Sequence, residues 1–170
     1  MVVPRLINLS PPSTGDIRGR FGDNRYATMF YGEFDSHSGI LRYVSAGHCP
    51  PIFISEAGEA TILPGGDLPV GLFADAAYQE HRVTVSRGCA IVVYTDGVTD
   101  ALNSHGEAFG EERIRRCLTS LPKGANAEAI CVQLAGRINE WTAGVEQFDD
   151  TTILVLSVAD LAISRTATLP

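Results

Sequence analysis

The sequence predicts an α+β domain with antiparallel sheets, and three observations support this fold class. About seven strand-like segments follow one another up to residue 94, two segments of helical periodicity come next, and one strand returns near residue 153. The turns between the early strands are short and rich in Gly, Asp and Ser, as in antiparallel hairpins. With 170 residues, 45% of them hydrophobic, the chain can bury one sizeable core, and the order of its elements is not that of a doubly wound parallel sheet.

The first half of the chain contains the hairpins. Residues 1–24 are irregular: a short strand is predicted at 6–9, but Pro11 and Pro12 interrupt it and several glycines follow. The predicted strands after this segment are 26–34 and its return 40–45, the second hairpin 52–54 and 60–63, and the alternating apolar and polar segment 78–85.

Residues 89–101 are the centre of the sequence pattern. The apolar residues Ala90 to Tyr94 predict a buried strand, which ends at Thr95-Asp96-Gly97. A second acidic pair, Asp149-Asp150, opens the last predicted strand, 153–156. If these strands are neighbours, Asp96 and Asp149 meet at one rim, where two charges about 4 Å apart repel by roughly 4 kcal/mol at an effective dielectric near 20. Carboxylate ligands with few histidines favour Mg²⁺ or Mn²⁺ there.

Helical periodicity begins after residue 109. The apolar residues of the first predicted helix lie three and four positions apart, from Ile114 to Leu121, and Glu111 and Glu112 lie at its favourable N-terminal end. Asn126 is the predicted N-cap of a second helix that reaches Trp141. Residues 159–170 carry little pattern and are expected to fray as a C-terminal tail.

Composition narrows the function classes. The net charge of −7 argues against nucleic acid or an anionic membrane as partner, and the local cluster Arg113, Arg115 and Arg116 is interpreted as a solvated helix face. No apolar run approaches the length of a membrane span and no signal-peptide pattern is present, so a cytoplasmic protein is expected.

The four cysteines form no C-x-x-C pair and are expected to be buried free thiols. P-loop, nucleophile-elbow and Cys/His zinc patterns are absent from the sequence.

Six motifs together resemble the C-terminal part of the SpoIIE/RsbU-type protein serine/threonine phosphatases, a branch of the metal-dependent PPM family. They are R-Y-A-T-M-F-Y-G at 25–32, S-A-G-H-C-P-P at 45–51, L-P-V-G at 68–71, Y-T-D-G-V-T-D-A at 94–101, F-G-E-E-R at 109–113 and D-D-T-T at 149–152. The resemblance implies two antiparallel sheets packed face to face and flanked by helices, with a two-metal site at one end.

The resemblance also implies site residues and a reaction. Asp96 and Asp149 match the family's metal ligands, Gly97 lets the backbone pass close to them, and Asp100 and Asp150 orient ligands or water. Two Mn²⁺ or Mg²⁺ ions would be the cofactors, and a metal-bound hydroxide would hydrolyse phosphoserine or phosphothreonine. The implied substrate is a phosphorylated regulatory protein such as an anti-sigma-factor antagonist.

The sequence departs from the family pattern at one motif. The family has an earlier G-D-x-x-G-[HKR]-G motif whose aspartate bridges both metals, and two helices follow it. Residues 15–21 match the first six of its seven positions but end in Phe21, so Asp16 is a tentative third ligand, with coincidence or a gene-level deletion as the alternative. The pattern therefore predicts an N-terminally truncated phosphatase domain at 25–158. Its lost helices would leave an apolar face or an open strand edge, which favours a homodimer.

Other interpretations of these residues stay open. Asp-Gly is a common turn pair, which alone explains Asp96, and Asp100 is equally well interpreted as an acid at a helix N-terminus. His48 is interpreted as a corner residue hydrogen-bonded to backbone, and Trp141 as a core residue. The alternative function is a catalytically inactive remnant that serves as a regulatory or protein-interaction module.

Overall fold

The computed structural model describes residues 26–73, 76–146 and 149–158, and the backbone of 166–168. The predicted strand at 6–9 and Asp16 lie outside the described residues. The strands are β1 (Met29–Asp35), β2 (Ile40–Ala46), β3 (Ile52–Ile54), β4 (Ala60–Ile62), β5 (His81–Thr84), β6 (Ala90–Tyr94), β7 (Thr152–Ser157) and β8 (Thr166–Thr168). The helices are α1 (Asp96–Thr99), α2 (Gly110–Thr119) and α3 (Ala127–Trp141).

The strands form two antiparallel sheets. One has three strands in the order β1-β2-β5, and the other has five in the order β4-β3-β6-β7-β8. The α+β class with antiparallel sheets is therefore confirmed. β8 lies in the segment for which the sequence shows little pattern, and it adds one strand beside β7.

The two faces of β6 explain why all five of its residues are buried. Ile91 and Val93 pack between the two sheets, in a cluster that includes Tyr43 of β2. Val92 and Tyr94 point to the other side, where the core contains residues of α2 and α3 such as Leu134. Full burial of one such aliphatic side chain is worth about 1.5–3 kcal/mol, so a strand covered on both faces anchors the layers on each side of it.

Most predicted elements are present, with shifted ends. β1 begins at Met29, because the preceding Ala27 instead exchanges backbone hydrogen bonds with Val70, at 3.0 and 2.9 Å. β5 is shorter than the predicted 78–85. Asn126 is confirmed as an N-cap: its side chain accepts a hydrogen bond of 2.8 Å from the backbone N–H of Ala129.

The cysteines agree with the expectation of free thiols, and the expected burial holds for three of the four. All four cysteines are free, and three are buried, whereas Cys49 is half-buried. Across the part of the chain that the structure describes, none of the helices has the length and apolar character required to span a bilayer.

Candidate metal centre

The ends of β6 and β7 bring the two acidic segments to one rim of the five-stranded sheet. The strands are antiparallel neighbours, and Tyr94 at the end of β6 lies opposite Ile153 near the start of β7. The residues that follow β6 and those that precede β7 therefore lie at the same edge. The condition on which the meeting of Asp96 and Asp149 depends, that these two strands are neighbours, is therefore met.

Hydrogen bonds tie the two segments together beyond the strand ladder. The Thr95 side chain donates to the Asp150 carbonyl oxygen at 3.1 Å and accepts from the Thr152 backbone N–H at 3.0 Å. The Thr95 backbone N–H donates to the Thr152 carbonyl at 3.1 Å. In return, the buried Thr151 hydroxyl donates to the Gly97 carbonyl at 3.3 Å. Four bonds in a few residues hold the loop before β7 against the start of α1.

Gly97 is required by this close approach. A Cβ added at residue 97 would lie 2.5 Å from the carbonyl oxygen of Asp150 and 3.0 Å from its carbonyl carbon. Both are backbone atoms, which no rotamer change can move. A residue without a side chain is therefore needed at position 97 for the two backbone segments to meet.

The acidic side chains of the rim are exposed, and the hydrogen bonds that they make with described residues are local. Asp96 accepts a hydrogen bond from the Gly97 N–H at 3.1 Å, and Asp149 accepts one from the Asp150 N–H at 2.8 Å. Asp100 caps the C-terminal end of α1, where its N–H donates to the Asp96 carbonyl at 2.8 Å and its carboxylate accepts from Thr99 at 3.2 Å. The interpretation of Asp100 as a helix N-terminal acid is therefore wrong.

The corner between β2 and β3 lies within the electrostatic range of this rim. Burial lowers the pKa of His48, and the charge of Asp96 opposes this shift. Burial raises the pKa of the Cys49 thiol, and the charges of Asp96 and Asp100 raise it further. The backbone N–H of Cys49 donates to His48 Nδ1 at 3.0 Å, in agreement with the interpretation of His48 as a corner residue.

Glu111, at the start of α2, is an acid near this rim whose proximity sequence reasoning did not detect. Burial is the main cause that raises the pKa of Tyr94, and a hydrogen bond and the charge of Glu111 add to it. Glu111 also raises the pKa of Cys49. The F-G-E-E-R motif contained this residue, but its helix-terminal position alone explained an acid there.

The donor set fits a hard divalent cation. In the described ranges, neither lysine nor arginine forms an ion pair with Asp96, Asp149 or the adjacent acids, so the described lysines and arginines do not neutralise these charges. The same ranges contain no cluster of three His, Cys, Asp or Glu side chains with metal-binding geometry. The rim thus offers two carboxylates, and Asp16, the predicted third ligand, lies outside the described residues.

The fold is the one seen in PP2C-type phosphatase domains. The structure is similar to the phosphatase domain of SpoIIE from Bacillus subtilis, from a crystal described as Mn presoaked, with a TM-score of 0.64 and 16% sequence identity over 86% of this chain and 63% of that one. It is equally similar to the SiaA-PP2C domain of Pseudomonas aeruginosa, with a TM-score of 0.65, 22% identity, and coverage of 78% and 52%.

Comparison of the sequence with known families identifies the family of this chain. The model of the family described as Stage II sporulation protein E (SpoIIE) matches residues 15–159, and the chain belongs to this family. Protein IcfG of Synechocystis sp. is 32% identical over 158 residues, which cover 91% of this chain and 24% of IcfG. The chain thus spans about a quarter of that relative's length. The phosphoserine phosphatase RsbP of Bacillus subtilis is 32% identical over 75 residues, 44% of this chain and 19% of RsbP.

Proposed function

We propose that this chain is the catalytic portion of a metal-dependent protein serine/threonine phosphatase that acts on a phosphorylated regulatory protein, such as an anti-sigma-factor antagonist. The observation that carries the proposal is the pair Asp96 and Asp149, held at one sheet rim by side-chain and backbone hydrogen bonds and lacking an ion-pair partner among the described residues. Membership of the family of SpoIIE and the likeness to RsbP support the reaction class.

Each rim residue has a role in the proposed site. Asp96 and Asp149 would hold Mn²⁺ or Mg²⁺, and Asp16 is our candidate for the third carboxylate. Asp100 and Asp150 would orient these ligands and bound water. When bound, the ions lower the pKa of water and neutralise charge on the phosphoryl oxygens. We assign this site to a domain at residues 25–158, with 1–24 and 159–170 flanking it.

The protein's own contribution is to hold the two carboxylates in place before the substrate arrives. Gly97 lets the Asp150 carbonyl approach, and Thr95 and Thr151 fix the two segments against each other. A preorganised anionic rim of this kind binds a cation without rearrangement of the protein. Electrostatic preorganisation is the main way in which a protein favours hydrolysis of a phosphate ester. The substrate's phosphate would reach the rim from solvent, where both carboxylates are exposed.

The test is calorimetric titration of the purified full chain with Mn²⁺ and with Mg²⁺, beside hydrolysis of p-nitrophenyl phosphate and of a phosphoserine peptide. We expect Mn²⁺ binding and turnover in the natural chain, and loss of both in Asp96→Asn and in Asp149→Asn. The matched control is Glu59→Gln, because Glu59 is an exposed acid in the turn between β3 and β4, near the Ala90 end of β6 and away from the rim.

The outcomes separate the proposal from its alternative. If Asp96→Asn retains turnover, the carboxylates of this rim are not required for the reaction. Weak binding and absence of turnover in the natural chain, with either metal, would instead indicate a phosphatase fold that serves as a regulatory or interaction module.

A further inference from the structure

A groove of about 420 Å³ lies between α2 and α3. Its lining combines arginines with an aromatic floor: Phe109, Arg113, Arg116, Cys117, Ser120, Arg137, Glu140 and Trp141. We call these residues the arginine groove. Three arginines against one glutamate make it locally positive, on a chain whose net charge is −7.

Arg113 is held in place without a carboxylate. Its guanidinium lies 4.0 Å from the centre of the Trp141 ring, and it donates to the carbonyl oxygens of Ala108 at 3.1 Å and Phe109 at 3.0 Å. Of the acids that the structure describes, none forms an ion pair with it. Arg113 is exposed, as expected for a solvated helix face, but stacking and two hydrogen bonds fix its position. Its charge is left for a ligand.

Arg116 and Arg137 are more loosely held. Arg116 pairs with Glu112 at 3.0 Å and Arg137 with Glu140 at 3.1 Å, and the arginine side chains are 75% and 58% exposed. Exposed pairs of this kind contribute at most about 1 kcal/mol each, so an incoming carboxylate can replace the partner at little cost. The groove thus contains one guanidinium group in a fixed position and two that can exchange their carboxylate partners.

The floor of the groove is apolar and rigid. The Trp141 indole N–H donates to the Glu107 carbonyl at 3.2 Å, and its ring meets that of Phe109 edge to face, with centroids 6.0 Å apart. Cys117 continues this floor and is buried. Tryptophan and arginine in a preformed pocket are the residues that dominate binding energy at protein interfaces.

We propose that the arginine groove is a docking site for an acidic peptide segment of a partner protein, in which Asp or Glu side chains flank an aromatic or aliphatic residue. The charge complementarity selects carboxylates, and the aromatic floor selects the apolar residue between them. A free phosphate ion would leave the floor uncovered. Nucleic acid is disfavoured by the overall charge of the chain.

The groove lies beside the candidate metal centre but does not depend on it. The backbone N–H of Phe109 donates to the Ala101 carbonyl at 2.8 Å, which connects the groove to the residues that follow α1. The inference concerns binding and holds whether or not the chain is an active phosphatase.

Trp141 is the single tryptophan of the chain, so its fluorescence reports on this groove alone. The experiment selects peptides from a random display library on the immobilised full chain and then titrates a synthetic copy of the recovered peptide while Trp141 emission is recorded. We expect recovered peptides to combine acids with an apolar residue, and the emission to change on saturation. Affinity should fall as salt is raised, because charges at the groove are screened.

The variant pair is Arg116→Glu/Arg137→Glu against Arg115→Glu. Arg115 lies on the same helix and pairs with the same Glu112, but it does not line the groove. We expect the double variant to lose about tenfold or more in affinity, which corresponds to about 1.4 kcal/mol, and the control to lose much less. Circular dichroism checks that both fold, as the exposure of these side chains leads us to expect.

Three results would overturn the inference. The first is a selection without enrichment of acidic peptides. The second is an equal loss of affinity in Arg115→Glu, which would mean a general charge effect. The third is binding of the chain to phosphatidylglycerol vesicles through this groove in place of peptides. Phosphatase activity is not part of the readout, so failure of the proposed function leaves this result unchanged.

Discussion

Replacing Gly97 with alanine tests the geometry of the rim most directly. The new Cβ would lie 2.5 Å from the Asp150 carbonyl oxygen, a distance that side-chain Cβ atoms do not tolerate. Because the obstructing atoms are backbone, either the loop before β7 or the start of α1 must move. A forced shift of this kind in a packed region costs about 1–3 kcal/mol.

The shift would also break specific hydrogen bonds. The Thr151 hydroxyl, which donates to the Gly97 carbonyl, and the Thr95 hydroxyl, which donates to the Asp150 carbonyl, both span the two segments that must separate. We therefore expect a fall in melting temperature of about 2–4 °C for each kcal/mol lost. We also expect Mn²⁺ affinity to fall by about tenfold although Asp96 and Asp149 are both intact, because their supports have moved.

The assay is thermal unfolding by circular dichroism together with calorimetric Mn²⁺ titration. Gly136→Ala is the matched control, because Gly136 lies inside α3 and a Cβ there meets no atom within 4 Å. That change should stabilise the protein by up to about 1 kcal/mol through helix propensity. If Gly97→Ala is as stable as the natural chain and binds Mn²⁺ equally well, the close approach at residue 97 does not support the rim.

Three further predictions concern other parts of the chain. Asn126→Ala should lower the free energy of unfolding by about 1 kcal/mol in urea denaturation, since it removes the N-cap of α3; an unchanged midpoint would contradict this. Burial lowers the pKa of His48 below its usual 6.5 despite the charge of Asp96, so the unfolded chain binds the proton more tightly and stability should rise as the pH increases through about 6.5. His48→Gln should flatten that dependence, and an equally steep curve in the variant would assign it to other groups. Leu154 is 41% exposed and lies opposite Val93 on the face that packs between the sheets, so we expect self-association in sedimentation equilibrium that Leu154→Thr reduces. A natural chain that is monomeric at all concentrations would count against it.

The central strand was the most predictable part of the fold. The residues Ala90 to Tyr94 form a continuous apolar run, and a strand covered on both faces requires that pattern, so its predicted and observed bounds agree. α1 escaped prediction because it has only four residues and contains an Asp-Gly pair that local preferences assign to a turn. Its conformation depends on burial of Val98 and on the bond from Thr151, which are long-range contacts.

The candidate site was predictable in its carboxylates but not in its surroundings. Asp96 and Asp149 stood at strand ends, where the strand pattern alone marked them. The proximity of Glu111 and of the His48 corner depends on how α2 and the β2–β3 connection pack over the rim, and periodicity carries no information on that packing. The arginine groove was hidden for a similar reason. Arg113, Arg115 and Arg116 lie within four residues of sequence, yet of these three only Arg113 stacks on Trp141 of the other helix.

The bonds between residues 95–97 and 150–152 also determine when the rim can exist during protein synthesis. Asp96 leaves the ribosome long before its counterpart, because the two joined segments are 54 to 57 positions apart. A nascent chain that has not yet reached residue 149 has Thr95 and the first carboxylate, but it lacks the second carboxylate and Thr151. Premature release of the polypeptide before that point would therefore yield fragments that are unable to assemble the cation-binding rim.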